Sequence, residues 1–392
     1  MSPHPALPIP EAAALAHSQA VFSHLLEKIH AQGGWLPFAD FMAELLYAPG
    51  LGYYAAGAQK FGTAGDFTTA PEMTPLFAQA LAAQVAQIMA ASQAQIIEVG
   101  AGSGRLAADL LIALEALGCL PQRYAILELS PELQARQRAT LTALAPQFLP
   151  RIDWLDQLPE RFSGVVLANE LLDALPVHLV KWQAETIYER GVSLGSDGRF
   201  TWNDRPAQGN LRLAAEELAE QHGLASLPDD YLSEIGLQAR GWAAAWAERL
   251  TQGALLLIDY GFPAHEFYHP QRNTGTLMCH YRHHAHADPF YLPGLQDVTA
   301  HVDFTAIIAA AHTSGLELLG YTHQGQFLLN CGILQALSRI PEQTPAYYRA
   351  ASAVGKLTLP HEMGELFKVV ALGRGIDADL LGFTRGDQSH RL

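Results

Sequence analysis

The stretch Ile96-Ile97-Glu98-Val99-Gly100-Ala101-Gly102-Ser103-Gly104-Arg105-Leu106 decides the fold of this chain. Its first four residues are mostly apolar and predict a buried strand. Gly100, Gly102 and Gly104 then predict a turn, and the apolar spacing from Leu106 onward predicts an amphipathic helix. A glycine-rich turn between a strand and a helix lets the backbone approach a nucleotide-like ligand closely.

The spacing of the glycines narrows the class of ligand. A dinucleotide-binding turn has the pattern G-x-G-x-x-G/A, and its third small position would fall on Arg105, which is too bulky for close helix–strand packing. The observed G-x-G-x-G, with Glu98 two residues before the first glycine, matches the S-adenosylmethionine turn of class I methyltransferases. For such a turn taken alone, a simple strand–helix connection remains the alternative.

A second acid ends the next predicted strand. Tyr124-Ala125-Ile126-Leu127-Glu128 is apolar up to its last residue, and Ser130 and Pro131 predict the N-cap and first residue of a helix. In this strand–helix–strand order, a carboxylate at the strand tip can accept the hydroxyls of a ribose. We therefore predict that Glu128 binds ribose, and a solvated acid at a strand end is the alternative.

Composition limits the location and the partners. The 392 residues are 49% hydrophobic and carry a formal net charge of −15, which allows a large core and argues against a nucleic-acid partner. Three widely separated cysteines predict a reducing compartment without a disulfide framework. The first ten residues lack the pattern of a signal or transit peptide, and no apolar run reaches membrane-spanning length. We expect a soluble, bacterial-type cytoplasmic protein that does not insert into membranes.

Predicted strands alternate with helices, which indicates a mostly parallel sheet covered on both faces. The expected fold class is α/β: a Rossmann-like class I methyltransferase sheet, mostly parallel with an antiparallel closing strand, plus helical and loop insertions. Phe327 to Asn330 is among the late segments predicted as strands. Four segments are predicted: N-terminal helices and a cofactor-covering loop at 1–74, the first part of the cofactor-binding core at 75–195, a helical insertion at 196–250, and the second part of the core at 251–392 with a substrate loop at 261–303.

The segment after the predicted strand Gly164-Val165-Val166-Leu167-Ala168 carries the candidate acceptor residues. Ligands bind at the carboxyl ends of parallel strands, and this strand ends in Asn169-Glu170-Leu171-Leu172-Asp173. Two carboxylates can hold a guanidinium, localise its charge away from the attacking nitrogen and accept its proton. Glu170 and Asp173 would share one face if the segment turns helically. Alternatively, they are acids at a helix start with Asn169 as N-cap.

Six blocks of the sequence resemble the MidA-like family, which includes a mitochondrial complex I assembly factor that methylates an arginine of a complex I subunit. They are Tyr47-Ala48-Pro49-Gly50-Leu51-Gly52-Tyr53-Tyr54, Gly65-Asp66-Phe67-Thr68-Thr69-Ala70-Pro71-Glu72, the glycine turn, Asn169-Glu170-Leu171-Leu172-Asp173-Ala174-Leu175-Pro176, Pro293-Gly294-Leu295-Gln296-Asp297-Val298-Thr299-Ala300-His301-Val302-Asp303-Phe304 and Gly325-Gln326-Phe327-Leu328. The resemblance covers nearly the whole chain. One departure is Ala70, where relatives commonly have serine.

The resemblance implies methylation of a protein arginine by S-adenosyl-L-methionine, with S-adenosyl-L-homocysteine as the product. It implies two groups of site residues: Glu98, Gly100, Gly102, Gly104, Glu128, Asp66, Thr68 and Pro71 for the cofactor, and Glu170, Asp173 and Asn169 for catalysis on the substrate. A methyltransferase for a small molecule or another side chain, and a non-catalytic assembly factor that binds the cofactor, stay as alternatives. The methylated target, the number and symmetry of methyl groups, and the oligomeric state, a homodimer included, stay open.

A loop rich in histidine, tyrosine and proline follows the predicted strand Ala254-Leu255-Leu256-Leu257-Ile258-Asp259-Tyr260. Its histidines have a spacing at which imidazoles can bind zinc: His280, His283, His284 and His286. Because no matched cysteine or acid accompanies them, we predict no metal and a polar loop that lines the substrate site, with Tyr281, His301 and Asp303 as its candidate residues. A buried, hydrogen-bonded pair of His301 with Asp303 that fixes the loop ranks slightly ahead of substrate contact.

Overall fold

The computed structural model of the protein describes residues 7–56, 69–183, 186–224 and 230–392. The chain forms two units, each assembled from separate stretches. The core unit comprises Thr68–Leu171, Trp242–Gly261 and Phe304–Leu392, and the insert unit comprises Met1–Phe67, Leu172–Gly241 and Phe262–Asp303. The two units alternate along the chain, so their boundaries differ from those of the four predicted segments.

Some of the helices begin at a side-chain cap. In the described residues they are, in chain order, α1 (Ala12–Ala31), α2 (Phe38–Tyr47), α3 (Ala70–Met73), α4 (Pro75–Ala91), α5 (Arg105–Ala116), α6 (Pro131–Leu144), α7 (Gly209–His222), α8 (Leu237–Arg249), α9 (Ala264–Phe267), α10 (Phe304–Thr313), α11 (Gln324–Asn330), α12 (Ile333–Leu337) and α13 (Pro345–Thr358). Thr74, Ser130 and Thr344 cap α4, α6 and α13, and each accepts a backbone N–H of the first turn. Proline follows each cap and sets the φ angle of the first helical residue. Of the three, α6 begins at the Ser130-Pro131 signal that the sequence predicts.

The strands share three sheets. In chain order they are β1 (Leu36–Pro37), β2 (Gln95–Val99), β3 (Arg123–Leu127), β4 (Ile152–Leu155), β5 (Phe162–Asn169), β6 (His178–Gln183), β7 (Thr186–Leu194), β8 (Phe200–Pro206), β9 (Tyr231–Ile235), β10 (Leu250–Phe262), β11 (Met278–Tyr281), β12 (His284–His286), β13 (Asp297–Thr299), β14 (Val302–Asp303), β15 (Glu317–His323) and β16 (Phe367–Arg374).

The sheet of the core unit has the strand order β15-β16-β10-β5-β2-β3-β4. The strands from β10 to β4 are parallel, whereas β16 is antiparallel to both of its neighbours. This arrangement confirms the predicted mostly parallel sheet with an antiparallel closing strand. Val99 lies opposite Leu127 on one side and Ala168 on the other, so the carboxyl ends of β3, β2 and β5 share one edge of the sheet.

Helices cover this sheet and explain why its strands are apolar throughout. Leu110, Leu111 and Leu114 of α5 are fully buried and pack in one cluster with Ile96 of β2 and Val165 of β5. Burial of each leucine side chain contributes roughly 2 kcal/mol. The core thereby fixes β2 and α5, and with them the turn that joins the two.

The insert unit contains more strand than the sequence analysis predicts. Its antiparallel sheet has the order β1-β7-β6-β9, with β8 paired to β7, and a second sheet has the order β12-β11-β13. The helical insertion predicted at 196–250 contains α7 and α8 but also β8 and β9, so the prediction is wrong for these two strands. The prediction of an irregular loop at 261–303 is also wrong, since β11, β12 and β13 lie there.

One segment near the end of the chain has a different secondary structure from the one that the sequence predicts. Phe327 to Asn330 was predicted as a strand but belongs to α11. Phe327 and Leu328 are buried against other helices of the core unit, and a short apolar run of this kind suits either element. Within the described ranges, no helix combines the length and the apolar character needed to cross a lipid bilayer.

Candidate functional site

The glycine turn joins β2 to α5 at the carboxyl edge of the core sheet. Gly100, Gly102 and Gly104 have φ angles of +68°, +53° and +81°, which residues with a side chain adopt at a cost. A Cβ on Gly104 would lie 3.0 Å from Cα of Gln137, and one on Gly100 would lie 2.9 Å from Cδ1 of Leu171. The three predicted glycines therefore form a tight, left-handed turn, and at Gly100 and Gly104 a side chain would collide with neighbouring residues.

Glu98 is buried inside the sheet just before this turn. Its side chain is 3% exposed, and its Oε2 accepts a hydrogen bond from the Tyr124 hydroxyl at 2.5 Å. Burial raises the pKa of Glu98 to about 7, against the opposing effect of the Tyr124 hydrogen bond. The structure thus places this predicted cofactor residue next to the turn and pairs its carboxyl group with a tyrosine of the neighbouring strand.

Glu128 follows β3 at the same edge. Its Oε1 accepts from the backbone N–H of Ser130 at 2.9 Å, and its Oε2 accepts from Nε2 of Gln137 at 3.0 Å. Burial raises the pKa of Glu128, and these two hydrogen bonds oppose the shift. An ionised carboxylate has about four acceptor positions, so the group retains capacity for a ligand hydroxyl.

Gln137 is a site residue that the sequence analysis missed. It lies on α6, its side chain is fully buried, and its Nε2 donates both to Glu128 and to the carbonyl oxygen of Gly102, the latter at 3.2 Å. The only signal in the sequence is a polar residue at an inward-facing position of α6, between the buried Leu133 and Leu141.

The short helix α3 contacts both the turn and the acceptor segment. The Glu72 carboxylate accepts a hydrogen bond from the Ser103 hydroxyl of the turn. The backbone N–H of Ala70 donates to Oε1 of Glu170 at 3.2 Å. Pro71, predicted to contact the cofactor, is buried in this helix. The other two predicted residues of the covering loop, Asp66 and Thr68, lie outside the described residues.

Glu170 occupies an unusual backbone conformation at the end of β5. Its φ is +51°, in the left-handed region, and the residues that follow form a turn without a helix. The predicted helical turn, and the alternative in which Asn169 caps a helix, are therefore both wrong. Asn169 instead donates from Nδ2 to Oε1 of Glu170 at 3.0 Å. A non-glycine residue in this region is strained, and such strain concentrates at functional sites.

Backbone hydrogen bonds from a neighbouring strand hold this conformation. The N–H of Glu170 donates to the carbonyl oxygen of Ile258 at 2.8 Å, and the N–H of Leu171 donates to Oδ2 of Asp259 at 3.1 Å. Asp259 is 1% exposed, and its Oδ1 also accepts from the N–H of Tyr260 at 2.9 Å. The end of β10 thus fixes the position of Glu170.

The remaining predicted catalytic residue, Asp173, belongs to the insert unit. Its side chain is 6% exposed, and its carbonyl oxygen accepts from the N–H of Ala300 at 3.0 Å. Because the segment is not helical, the predicted shared helical face with Glu170 does not form.

The candidate substrate residues also lie in the insert unit. Tyr281 is buried at the end of β11 and packs edge-to-face on Tyr291. His301 stacks on Phe262 with a ring separation of 5.2 Å, whereas Asp303 accepts from the Tyr268 hydroxyl at 3.2 Å. These contacts tie the segment to its own unit. Among the described residues, no group of three or more histidine, cysteine or acidic side chains is arranged to hold a metal ion.

Comparisons with known proteins agree with this geometry. A family model described as "Putative S-adenosyl-L-methionine-dependent methyltransferase" matches residues 76–322. The mitochondrial protein arginine methyltransferase NDUFAF7 of Danio rerio is 30% identical and covers 90% of this chain and 86% of its own. The Homo sapiens protein of the same name is 29% identical, with 89% and 82% covered. A Burkholderia thailandensis crystal structure bound to S-adenosyl-homocysteine is 51% identical, with a TM-score of 0.93, and covers 99% of this chain and 100% of that one.

These comparisons confirm the predicted class I fold and the predicted dependence on S-adenosylmethionine. They agree with the position of the glycine turn of the core unit, which joins β2 to α5 at the carboxyl edge of the sheet. The chain therefore belongs to the MidA-like family of S-adenosyl-L-methionine-dependent methyltransferases.

Proposed function

We propose that this protein transfers the methyl group of S-adenosylmethionine to an arginine side chain of a protein. The observation that carries the proposal is the order of groups along the carboxyl edge of the core sheet. The glycine turn follows β2, and the carboxylates of Glu128 and Glu170 follow the strands on either side of it. Neighbouring strands lie about 4.8 Å apart, so an acid for the ribose and an acid for the acceptor flank the turn.

Each part of this edge suits one part of the cofactor. The open backbone of the glycine turn gives room for the methionine portion, and Glu128 can accept a hydrogen bond from a ribose hydroxyl. Leu129, next to Glu128, is 76% exposed and offers an apolar surface to the adenine ring. We assign Glu98 an indirect role, because its carboxyl group is buried against Tyr124 and supports the strand end that precedes the turn.

Glu170 is the residue that favours an arginine over a neutral acceptor. A guanidinium is a poor nucleophile, because it is protonated and its lone pairs are delocalised. When bound, S-adenosylmethionine supplies a methyl group on a positively charged sulfur. A carboxylate beside the guanidinium draws its charge away from the attacking nitrogen and accepts the proton that this nitrogen loses. The strained backbone of Glu170 and its bonds from Ala70 and Asn169 hold the carboxylate in place before the substrate arrives.

Asp173 stays the second carboxylate of the proposal on the ground of the family resemblance of the segment from Asn169 to Pro176. The relatives named as protein arginine methyltransferases support a protein substrate. A subunit of respiratory complex I, the target that the family resemblance implies, is the first candidate. Tyr281, His301 and Asp303 stay candidates for contact with that substrate.

The identity of the methylated group tests this proposal. The protein is incubated with S-adenosylmethionine labelled in its methyl group and a lysate of a strain that lacks the gene, and the labelled protein is then hydrolysed to amino acids. We expect the label in methylarginine, and we expect little of it with the Glu170→Gln variant. Glu132→Gln, which changes an acid of α6 that pairs with Arg136, is the matched control. Label only in small molecules, or in another amino acid, would contradict the arginine proposal.

A further inference from the structure

Gln137 occupies a buried position, where a polar side chain destabilises the fold unless all of its polar groups are hydrogen-bonded. The side chain is 0% exposed on the inner face of α6. A buried amide without partners costs roughly 1–3 kcal/mol, so its hydrogen bonds decide whether it is tolerated. Its Nε2 donates to Gly102 and Glu128, and its Oε1 accepts from Nε1 of Trp154 at 3.0 Å. Both ends of the amide are therefore used.

The chemistry of the three partners fixes which way the amide of Gln137 points. The indole nitrogen of Trp154 can only donate, whereas the Gly102 carbonyl and an ionised Glu128 carboxylate can only accept. Rotating the amide by 180° would place its oxygen against two acceptors and its nitrogen against a donor. The observed orientation is the one in which every bond is satisfied, so the Nε2 group must face Glu128.

The same residue also touches the glycine turn. The turn approaches α6 so closely that a Cβ on Gly104 would lie 3.0 Å from Cα of Gln137 and 3.2 Å from its Cβ. The bond from Nε2 to the Gly102 oxygen joins the side chain to the turn as well. Gln137 is thus in contact with both the turn and Glu128, which come from separate strand ends.

We infer that Gln137 is a positioning residue for the cofactor: it holds the Glu128 carboxylate beside the glycine turn in the orientation that accepts a ribose hydroxyl. The inference rests on the proposed ribose role of Glu128. The hydrogen bond from Gln137 also lowers the pKa of Glu128, against the effect of burial, and so favours the ionised carboxylate that a hydroxyl donor prefers.

Calorimetry with two ligands tests this role without knowledge of the methyl acceptor. The ligands are S-adenosylhomocysteine and its analogue that lacks both ribose hydroxyls, and their affinity ratio measures recognition of those hydroxyls. We expect the unchanged protein to prefer S-adenosylhomocysteine by at least about tenfold. Gln137→Met, which keeps the length of the side chain and removes its hydrogen bonds, should reduce that preference to less than about threefold.

Two further variants separate positioning from general loss of structure. Gln84→Met is the matched control, because Gln84 is another fully buried glutamine of the core unit, bonded to the N–H of Gly382 and to Gln87. It should keep the full preference. Trp154→Phe leaves Gln137 intact but removes the N–H group that orients its amide. This variant should lower the preference for S-adenosylhomocysteine over the analogue about two- to fivefold.

The outcomes distinguish the positioning role of Gln137 from the ribose role of Glu128 on which it rests. A full preference for S-adenosylhomocysteine in both Gln137→Met and Trp154→Phe would overturn the role of Gln137 and leave that of Glu128 intact. Equal affinity of the unchanged protein for the two ligands would overturn the ribose role of Glu128, and the role of Gln137 with it. If Gln137→Met does not fold, the result for Trp154→Phe decides alone.

Discussion

The edge of the core sheet has a part that we propose for the cofactor, around Glu128 (the cofactor side), and a part that we propose for the acceptor, around Glu170 (the acceptor side), and the two are held in place by different means. On the cofactor side, Glu128 is oriented by residues of the helix that directly follows it, Ser130 and Gln137. On the acceptor side, the strained Glu170 is bonded to Ala70 and Ile258, which are far away in the chain, and the adjacent Asn169 adds one more bond to its carboxylate. In the first region only glycines adopt the left-handed conformation, at no steric cost, whereas the second places an acidic residue where glycine would be favoured.

This difference suggests that the two sides contribute to different steps, one to cofactor binding and the other to methyl transfer. A locally built site without side-chain strain is suited to binding a ligand that all family members share. A carboxylate on a strained backbone, held by distant groups, is suited to the methyl-transfer step, in which a charge must have a fixed position. The rest of the fold stabilises the strained conformation. We therefore expect changes on the cofactor side to act on affinity and changes on the acceptor side to act on turnover.

The largest expected effect is the loss of cofactor binding in Gly102→Val. A β-branched side chain is disfavoured at φ +53° and would project where the backbone must approach the ligand. Calorimetry should show S-adenosylhomocysteine affinity reduced more than about a hundredfold, equivalent to about 3 kcal/mol. Gly118→Val is the control, because Gly118 has φ +69° with open space around it. It should lose stability but keep affinity within about twofold, and a similar loss of affinity in both would remove the special role of the turn.

A second effect concerns stability against pH on the cofactor side. The folded protein raises the pKa of Glu98 from 4.5 to about 7, so between these values the native state binds more protons than the unfolded state. The free energy of unfolding should then fall as pH rises from about 4.5 to 7, by up to about 3 kcal/mol from this group. Denaturant unfolding of the cofactor-free protein measures this change. In Glu98→Gln, the free energy of unfolding should fall less steeply over this pH range than in the unchanged protein.

Tyr124→Phe sharpens this test. The Tyr124 hydrogen bond lowers the pKa of Glu98, so its removal should raise that pKa further and extend the fall in stability to higher pH. Identical pH profiles for Glu98→Gln and the unchanged protein would show that the buried carboxyl group does not titrate in this range.

The smallest effect tests the strain on the acceptor side. At φ +51°, glycine is favoured over alanine, so Glu170→Gly should be more stable than Glu170→Ala by roughly 1 kcal/mol. At the exposed Ala135 in α6, the order should reverse, and Ala135→Gly should lose roughly 1 kcal/mol. Denaturant unfolding of the three variants measures both differences. A Glu170→Gly variant that is less stable than Glu170→Ala would show that the backbone there is not strained.

The cofactor side was largely predictable from sequence, and the acceptor side only in part. The glycine spacing, the acid at the end of β3 and the Ser130-Pro131 cap are local signals, and each predicted its element. The left-handed conformation of Glu170 depends on hydrogen bonds with Ala70 and Ile258, whose proximity only the tertiary fold creates. The role that we infer for Gln137 could not be found from the sequence either, because two of its partners, Gly102 and Trp154, are distant in the chain. Phe327 to Asn330 was misassigned because four residues give too little periodicity to separate a strand from a helix.

The central claim, that the two sides divide affinity from turnover, is tested most directly by comparing Glu128→Gln with Glu170→Gln. Both changes replace a carboxylate by an amide of the same size. Calorimetry with S-adenosylhomocysteine should show at least about tenfold weaker binding for Glu128→Gln and a change within about threefold for Glu170→Gln. At saturating S-adenosylmethionine, Glu170→Gln should lower methyl transfer at least about a hundredfold, equivalent to about 3 kcal/mol in the transition state. Full methyl transfer by Glu170→Gln, or a loss of affinity that matches that of Glu128→Gln, would contradict the account.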